Sequence, residues 1–323
     1  MEADGALVDI HLEGHRAAFN AAFQSIGMDC VSWSGPVYND LLGASDGTGE
    51  GLVAAYYQTV GWPVMLSTSD RPGFVRRVHA IKQEKLGALL RGDRVPLRED
   101  VKQVVADAVA DGACVALLAG TQCTHAEELA ASCVRQLGGG EGGLGGAVRV
   151  FTFALAPPEE QEPGEDPPTP MLSQMLSAAA GDAKQRAAMQ LVCSWKSIGD
   201  GPQEGAGVGS KAAGLAVDPS LLAAGGSQQR ISPEFLSALL ATTGVPAARS
   251  LVVAASNPML QAAATLGAYT VVVPRKFAGQ GTFPAARTKF DGYGAGLCTW
   301  ARLRQLLASA GAAGAAGNGK RLR

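Results

Sequence analysis

The chain has 323 residues, of which 47% are hydrophobic, so it is long enough for two domains or for one core with an inserted cap. It contains 27 Lys and Arg residues and 29 Asp and Glu residues, which give a net charge of −2. Because the charge is balanced and the sequence has no basic stripe, nucleic acid is not expected to be the main partner. No apolar run reaches the ~18 residues of a membrane span, and we expect no signal or transit peptide at its start. The six cysteines form no CxxC pair, which predicts buried free thiols in a reducing compartment.

The first ninety residues are predicted to be almost entirely helical. Residues 1–10 read as the end of a strand that turns into a loop. Apolar spacing then predicts helices over 12–26, 36–60 and 72–91, with a break at Gly61, Trp62 and Pro63. We therefore expect residues 12–91 to form one compact helical piece.

Helices and strands alternate in most of the remaining chain. The predicted elements, in order, are helix 98–111, strand 114–118, helix 125–137, strand 147–155, helix 233–243, strand 250–255, helix 258–267 and strand 269–273. This alternation is typical of an α/β fold in which a parallel sheet is covered on both faces. The expected domains are therefore an α/β core (1–11 and 92–305) and the helical piece (12–91).

Two stretches interrupt the predicted core, and a tail follows it. Residues 156–170 are rich in Pro and Glu, which predicts a solvated linker. Residues 201–228 are rich in Gly, Ala and Ser and are expected to be flexible, with a helix near 174–196 between the two stretches. Residues 306–323 are expected to form a flexible tail.

Two short motifs invite functional interpretations that their context does not favour. Residues 140–145 satisfy GxGxxG, but they follow a predicted helix and precede a strand, the reverse of the order in a dinucleotide site. His11 and His15 are four residues apart, yet Glu13 is not placed as in a zinc protease, so structural or surface histidines are the favoured interpretation.

The acidic segment at the start of the chain is more informative. Glu2 and Asp4 are two residues apart at the tip of a predicted strand, so both point to the same side of the pleat, toward the crevice of a parallel sheet. Such a pair can hold Mg²⁺ while one carboxylate attacks phosphorus and the other transfers a proton. By itself, an acidic loop is more commonly a turn with capping groups.

Several motifs taken together resemble the haloacid dehalogenase-like (HAD) superfamily. EADGALVD (2–9) followed by HRAAFNAAF (15–23) resembles the pattern DxDG[TV]LVD that precedes a helical cap. The helical piece is similar to caps of the CbbY-like branch of plants and algae, in PVYNDLL (36–42) and KQEKLGALL (82–90). Further segments fit that branch and its chloroplast-type members, namely LVAAYYQTVGWP (52–63), VPLREDVKQVV (95–105), KQRAA (184–188), 245–273 and GTFPAARTKFDGYG (281–294). The likeness covers most of residues 1–155 and 229–305.

The resemblance implies a doubly wound parallel sheet (Rossmann-like) with a helical cap inserted after the first strand. It also implies a small phosphorylated substrate, Mg²⁺ and a covalent aspartyl-phosphate intermediate. By that resemblance Glu2 occupies the nucleophile position, where Asp is usual, and Asp4 keeps the acid/base position. The extra methylene of glutamate moves the attacking oxygen, and a misplacement of about 1 Å costs roughly a hundredfold in rate.

The remaining motifs depart further from the family pattern. Ala119 stands where active members have a phosphate-binding Ser or Thr, and Thr121 is the nearest hydroxyl. Arg230 stands at the position of the phosphate-binding Lys and keeps its charge. Ala254 and Ala255 replace the acidic pair that completes the Mg²⁺ site, which leaves Glu2 and Asp4 as weak metal ligands.

Whether the chain is an enzyme stays open at this point. The leading hypothesis is a HAD-fold protein that is non-catalytic or weakly active and serves as a phosphometabolite- or protein-binding module in the chloroplast, with Mg²⁺ expected only if the chain is active. The alternative is an active Mg²⁺-dependent phosphatase that acts on a sugar phosphate through Glu2 and Asp4. A third hypothesis, a generic nucleotide-binding α/β protein, rests on fold class alone.

Overall fold

A computed structural model of the chain describes residues 1–139, 143–153 and 231–318, with side chains up to 310. The predicted linker, the helix near 174–196, the flexible stretch, Arg230 and residues 140–142 of the GxGxxG motif lie outside the described residues. Five strands are described: β1 (Ala116–Ala119), β2 (Arg149–Thr152), β3 (Leu251–Ala254), β4 (Tyr269–Val272) and β5 (Thr288–Lys289).

All the strand pairs are parallel. β1 pairs with β2, and β4 pairs with both β3 and β5. Residues 1–3 join the two sets, because Ala3 N–H donates to the Leu118 carbonyl at 2.7 Å and Glu2 N–H donates to the Val253 carbonyl at 2.9 Å. The spatial order is therefore β2–β1–(1–3)–β3–β4–β5, with the start of the chain at the centre.

Helices cover both faces of this sheet. They are α5 (Val101–Ala110), α6 (Ala126–Gly138), α7 (Pro233–Thr243), α8 (Asn257–Thr265) and α9 (Trp300–Asn318). Alternate strand residues point to opposite faces. Leu117 and Val253 pack with α5, α6 and α9, whereas Leu118 and Val252 pack with α7 and α8. The predicted α/β class and doubly wound parallel sheet are confirmed.

Residues 10–91 contain only helices and loops. A π-helical turn (Ile10–His15) leads into α1 (Arg16–Ser25), which is followed by α2 (Gly35–Ala44), α3 (Gly49–Val60) and α4 (Arg71–Arg91). Their shared core is aromatic and centres on Trp33, whose backbone is held at both ends by the Asn20 side chain, at 2.8 and 3.0 Å. The carboxyl half of α4 leaves this cluster, and its Leu86 and Leu90 pack into the core of the sheet. The helical piece thus lies directly over the start of the sheet.

The prediction that the cysteines are buried free thiols holds for some of the described cysteines and is wrong for others. Cys123, Cys133 and Cys298 are buried free thiols as predicted, but Cys30 and Cys114 are exposed. The apolar residues beside them did not reveal that both lie in loops, Cys30 between α1 and α2 and Cys114 between α5 and β1. Among the described residues, no helix has the length and apolar character that crossing a bilayer requires.

Candidate functional site

Three loops meet at the carboxyl ends of the central strands. They are residues 4–9 after the first segment, 120–125 after β1 and 255–256 after β3. In an open parallel sheet this edge is where ligand-binding groups gather, because neighbouring connections diverge there. The acidic pair, the loop hydroxyls and the substituted motif positions all fall at this edge.

The carboxylate of Glu2 is completely buried and is surrounded by donors. Its Oε1 accepts hydrogen bonds from Thr121 Oγ1 at 2.8 Å, Gln122 Nε2 at 3.2 Å and Ser256 Oγ at 2.6 Å. Its Oε2 accepts from the backbone N–H groups of Ala255 at 2.8 Å and Ser256 at 3.1 Å. Five donors around one carboxylate make a cradle for an anion, and the chain's own side chain fills it.

Asp4 is also fully buried, but it is held by a different set of donors. Its Oδ2 accepts from Gly120 N–H at 2.8 Å and its Oδ1 from Gln122 N–H at 3.1 Å. Burial and, to a smaller extent, the charge of Glu2 raise the pKa of this carboxyl to about 7, although the hydrogen bonds from backbone N–H groups act in the opposite direction. Gly120 has a φ of +93°, and a Cβ there would lie 2.2 Å from the Phe153 carbonyl, so only glycine lets the loop present this N–H.

Gln122 connects the acidic pair to the helical piece. Its Nε2 donates to Glu2 and, at 2.9 Å, to the Asp4 carbonyl, while its Oε1 lies 2.7 Å from His11 Nε2. Its carbonyl lies 3.0 Å from His15 Nε2. Sequence reasoning missed this residue and the role of Ser256, because a lone Gln or Ser in a loop carries no signal of its contacts.

Three basic side chains of the helical piece lie close to this network: His11 and His15, which contact Gln122, and Lys82. Burial lowers the pKa of His11 to about 3 and that of His15 well below its ordinary value, which favours the neutral form of both rings. Lys82 is only 3% exposed, its ammonium lies 5.2 Å from the Phe19 ring centre, and burial lowers its pKa to about 8. Within the described residues it makes no ion pair, and its one hydrogen bond, to Gln83 Oε1, is 3.4 Å long.

The structure brings together most of the residues predicted for the site. Glu2, Asp4 and Thr121 lie within one hydrogen-bond network, although the hydroxyl of Thr121 donates its hydrogen bond to Glu2. Ala119 and Ala254 are buried at the ends of β1 and β3, and they belong to the two apolar cores on opposite faces of the sheet. Ala255 contributes only its backbone N–H, and Arg230 lies outside the described residues.

The residues present do not fit a magnesium ion. Mg²⁺ requires near-octahedral oxygen ligands. Here both oxygens of Glu2 and both oxygens of Asp4 accept hydrogen bonds from protein donors, and the alanines at 254 and 255 offer no side-chain oxygen. Across the described ranges, no group of three or more His, Cys, Asp or Glu is placed to hold a metal, and this includes His11 and His15.

Two curated relatives match part of the chain. A CBBY-like protein of Arabidopsis thaliana is 32% identical over 135 residues, which are 41% of this chain and 40% of the relative. Protein CbbY of Cereibacter sphaeroides is 28% identical over 132 residues, which are 41% of this chain and 53% of the relative. The chain thus spans about two-fifths to a half of the length of these relatives. No family model matches it.

Solved structures are similar at lower identity. The crystal structure of CbbY from Rhodobacter sphaeroides in complex with phosphate has a TM-score of 0.47 at 18% identity, covering 90% of this chain and 92% of that one. The putative beta-phosphoglucomutase from Thermotoga maritima has a TM-score of 0.47 at 13% identity, covering 95% and 96%.

The parallel sheet has an acidic pair after its central segment and a helical piece inserted there, which is the α/β architecture that the HAD-like resemblance implied. Over about two-fifths of its length, the chain is similar in sequence to two CbbY-like proteins, and the resemblance to that branch is thus found again at low identity.

Proposed function

We propose that this HAD-like protein does not hydrolyse phosphate esters with Mg²⁺ and instead binds a small phosphorylated metabolite. The observation that carries the proposal is the carboxylate of Glu2, which is buried and accepts five hydrogen bonds. A nucleophile needs a free lone pair directed at the reacting atom, at a distance of about 3–3.5 Å. Both carboxylate oxygens of Glu2, which occupies the nucleophile position, already accept hydrogen bonds from the loops after β1 and β3.

The acid/base position supports the same conclusion. Asp4 is held by two backbone N–H groups of the loop after β1, which face its carboxylate rather than a leaving group. Because residues 254 and 255 are alanines, the side of the site that follows β3 has no carboxylates there to attract a metal. The site therefore lacks an accessible nucleophile, a mobile acid and a metal-binding wall together.

The helical side of the crevice supports binding of an anion. A buried ammonium that makes no ion pair in the described part of the chain is costly, and a bound phosphate group would supply the missing charge. Lys82 therefore favours a phosphorylated ligand over a neutral one. A protein partner that presents a phosphate or carboxylate would satisfy the same group, and it is the second form of this proposal.

The test combines an activity assay with a binding assay on the whole chain. A panel of sugar phosphates is incubated with the protein and Mg²⁺, with Asp4→Asn as the control. We expect no release of phosphate above the control, together with a rise in Tm for at least one phosphorylated compound that Lys82→Met abolishes. Robust Mg²⁺-dependent turnover that Asp4→Asn removes would refute the proposal.

One observation favours the alternative of an active phosphatase. The pKa of Asp4, raised by burial to about 7, is close to the value at which a general acid and base operates at neutral pH. Under this alternative, Glu2→Gln and Asp4→Asn would each lower the measured rate. Hydrolysis that neither substitution changes would belong to a contaminant. For location we propose the chloroplast, which the resemblance to the plant and algal branch supports.

A further inference from the structure

The loop after β4 contains a residue in an unfavourable backbone conformation. Among the described residues other than glycine, three have a positive φ, and two of them, Asp93 and Asp100, are of a type that tolerates it. The third is Phe277, with a φ of +64°. It takes the third position of a turn that Ala278 N–H closes by donating to the Arg275 carbonyl at 3.1 Å. Glycine or asparagine is usual at such a position, so an aromatic residue there requires a reason.

A contact between Phe277 and the helical piece supplies such a reason. A Cβ at Gly35, the first residue of α2, would lie 2.7 Å from Phe277 Cε2 and 3.2 Å from its Cζ. The phenyl ring therefore lies directly against the backbone of α2, in space that a glycine leaves open. Phe277 is nevertheless 54% exposed, so burial in the core of the sheet does not explain its position. The contact joins a loop of the sheet to the helical piece.

The same loop is also tied to the point where the chain enters the helical piece. Lys276 N–H donates to Asp9 Oδ2 at 3.1 Å, and Asp9 Oδ1 accepts from Leu12 N–H at 3.1 Å. Asp9 is 5% exposed, and it caps the first turn of the helical piece while it holds the loop after β4. The loop therefore has two attachments to the helical piece, one at its start and one on α2.

The two chain connections of the helical piece have the arrangement of a hinge. The chain enters and leaves this piece through adjacent segments, since Arg98 N–H donates to the Leu7 carbonyl at 2.8 Å. Two adjacent connections allow an inserted piece to rotate about them. The loop after β4 adds attachments beyond these connections, so it is placed to limit that rotation.

We propose that residues 275–277, the strap, hold the helical piece closed over the hydrogen-bond network around Glu2, and that the strap releases when a ligand enters or leaves. The closed position requires Phe277 to keep an unfavourable φ, and the contact with Gly35 and the hydrogen bond to Asp9 offset that cost. Because these effects oppose each other, a small loss of contact shifts the balance toward the open position. The inference rests on the proposed function only for what enters the site. Its test uses no ligand, so the two proposals can fail separately.

The thiol of Cys123 reports whether the helical piece is closed. Cys123 lies in the loop after β1, is 1% exposed, and belongs to the same apolar cluster as Leu86 and Leu90 of α4. Burial raises the pKa of its thiol to about 12, so we expect a maleimide to react with it only when the helical piece moves away. Cys298, which is also completely buried, lies just before α9 and is the internal control.

The test follows labelling of the whole chain by N-ethylmaleimide, with each cysteine quantified on its own peptide by mass spectrometry. Gly35→Ala places a methyl group against the Phe277 ring and should raise the labelling rate of Cys123 about tenfold, with no change at Cys298. Gly43→Ala is the matched control, because Gly43 lies in the same helix and a Cβ there would meet nothing within 4 Å. It should leave the rate at Cys123 unchanged, although both substitutions raise the helix propensity of α2.

A second variant assigns the effect to the ring of Phe277. Phe277→Ala removes the ring but keeps a side chain at the unfavourable φ, and it should also raise the rate at Cys123 about tenfold. In that background Gly35→Ala should have no further effect, because its methyl group then has no ring to displace. The proposal is overturned if Gly35→Ala and Gly43→Ala give the same rate at Cys123, or if the effect of Gly35→Ala persists without the ring. A parallel rise at Cys298 would also overturn it, since the substitution would then loosen the whole protein rather than release the helical piece.

Discussion

Replacing Glu2 with alanine would leave five donors around an empty space of carboxylate size. Each hydrogen bond to a charged group contributes roughly 1.5–3 kcal/mol when it is removed singly, but five bonds to one acceptor do not add. Removal of one partner from a buried ionic network typically costs about 3–5 kcal/mol. We therefore expect Glu2→Ala to lower the free energy of unfolding by about 3 kcal/mol.

The vacated donors should then bind an anion from solution. Thr121, Gln122, Ala255 and Ser256 would face inorganic phosphate as they now face the carboxylate. At ten times its Kd, phosphate would restore about 1.4 kcal/mol to the variant. In the wild type the cradle is filled, so phosphate should add nothing through these donors.

Urea unfolding of both proteins, with and without phosphate at matched ionic strength, measures these two effects. Glu99→Ala is the matched control, since Glu99 is exposed and the same atoms are removed from the surface. The reasoning is refuted if Glu2→Ala is as stable as Glu99→Ala. It is also refuted if phosphate stabilises wild type and Glu2→Ala by the same amount.

Three further predictions concern pH, Lys82 and magnesium. Burial raises the pKa of Asp4 from 3.8 to about 7, so the folded state holds the proton of this carboxyl more tightly than the unfolded state does. The free energy of unfolding, relative to that of Asp4→Asn, should therefore fall by up to about 4 kcal/mol as the pH rises from about 4 to about 7. Urea midpoints across that range check this, and a flat difference contradicts it. Lys82→Met removes a buried charge and should raise the free energy of unfolding at pH 7 by about 1–3 kcal/mol, which would be measured as a higher Tm. A lower Tm would contradict this prediction and would mean that the ammonium is already paired. Millimolar Mg²⁺ should leave Tm unchanged relative to EDTA, and a Mg²⁺-specific rise would show that the acidic pair still binds the ion.

The fold could be predicted from the sequence because its signals are local. The helix predicted over 233–243 has those bounds in the structure, since Ser232 caps its start with a hydrogen bond to Phe235 N–H and Gly244 ends it at a φ of +70°. Alternating runs of apolar residues likewise located the four longer strands to within a few residues. The π-helical turn at Ile10–His15 has no comparable signal in the sequence, although a Cβ on its Gly14 would lie only 3.3 Å from Leu86 Cδ1 on α4.

The site could be predicted only in part. The family motifs pointed to Glu2, Asp4, Thr121 and the alanine pair Ala254 and Ala255. The effect of the longer Glu2 side chain could not be predicted in the same way, because it depends on where the loop after β3 lies. The extra methylene, expected only to misplace a nucleophile, lets the carboxylate reach Ser256 on the opposite wall. That contact joins residues 254 positions apart in the chain, so no local pattern encodes it.

The cradle around Glu2 also constrains how this sequence can change by single substitutions. Glu2→Asp alone shortens the side chain and leaves donors on the wall after β3 without an acceptor. Ala255→Asp alone adds a second carboxylate beside one that is already buried, and a side chain at Gly5 would already lie 2.7 Å from the Ala255 Cβ. We therefore expect each of these single substitutions to lower stability, because the loop that carries Glu2 and the loop after β3 hold each other in place.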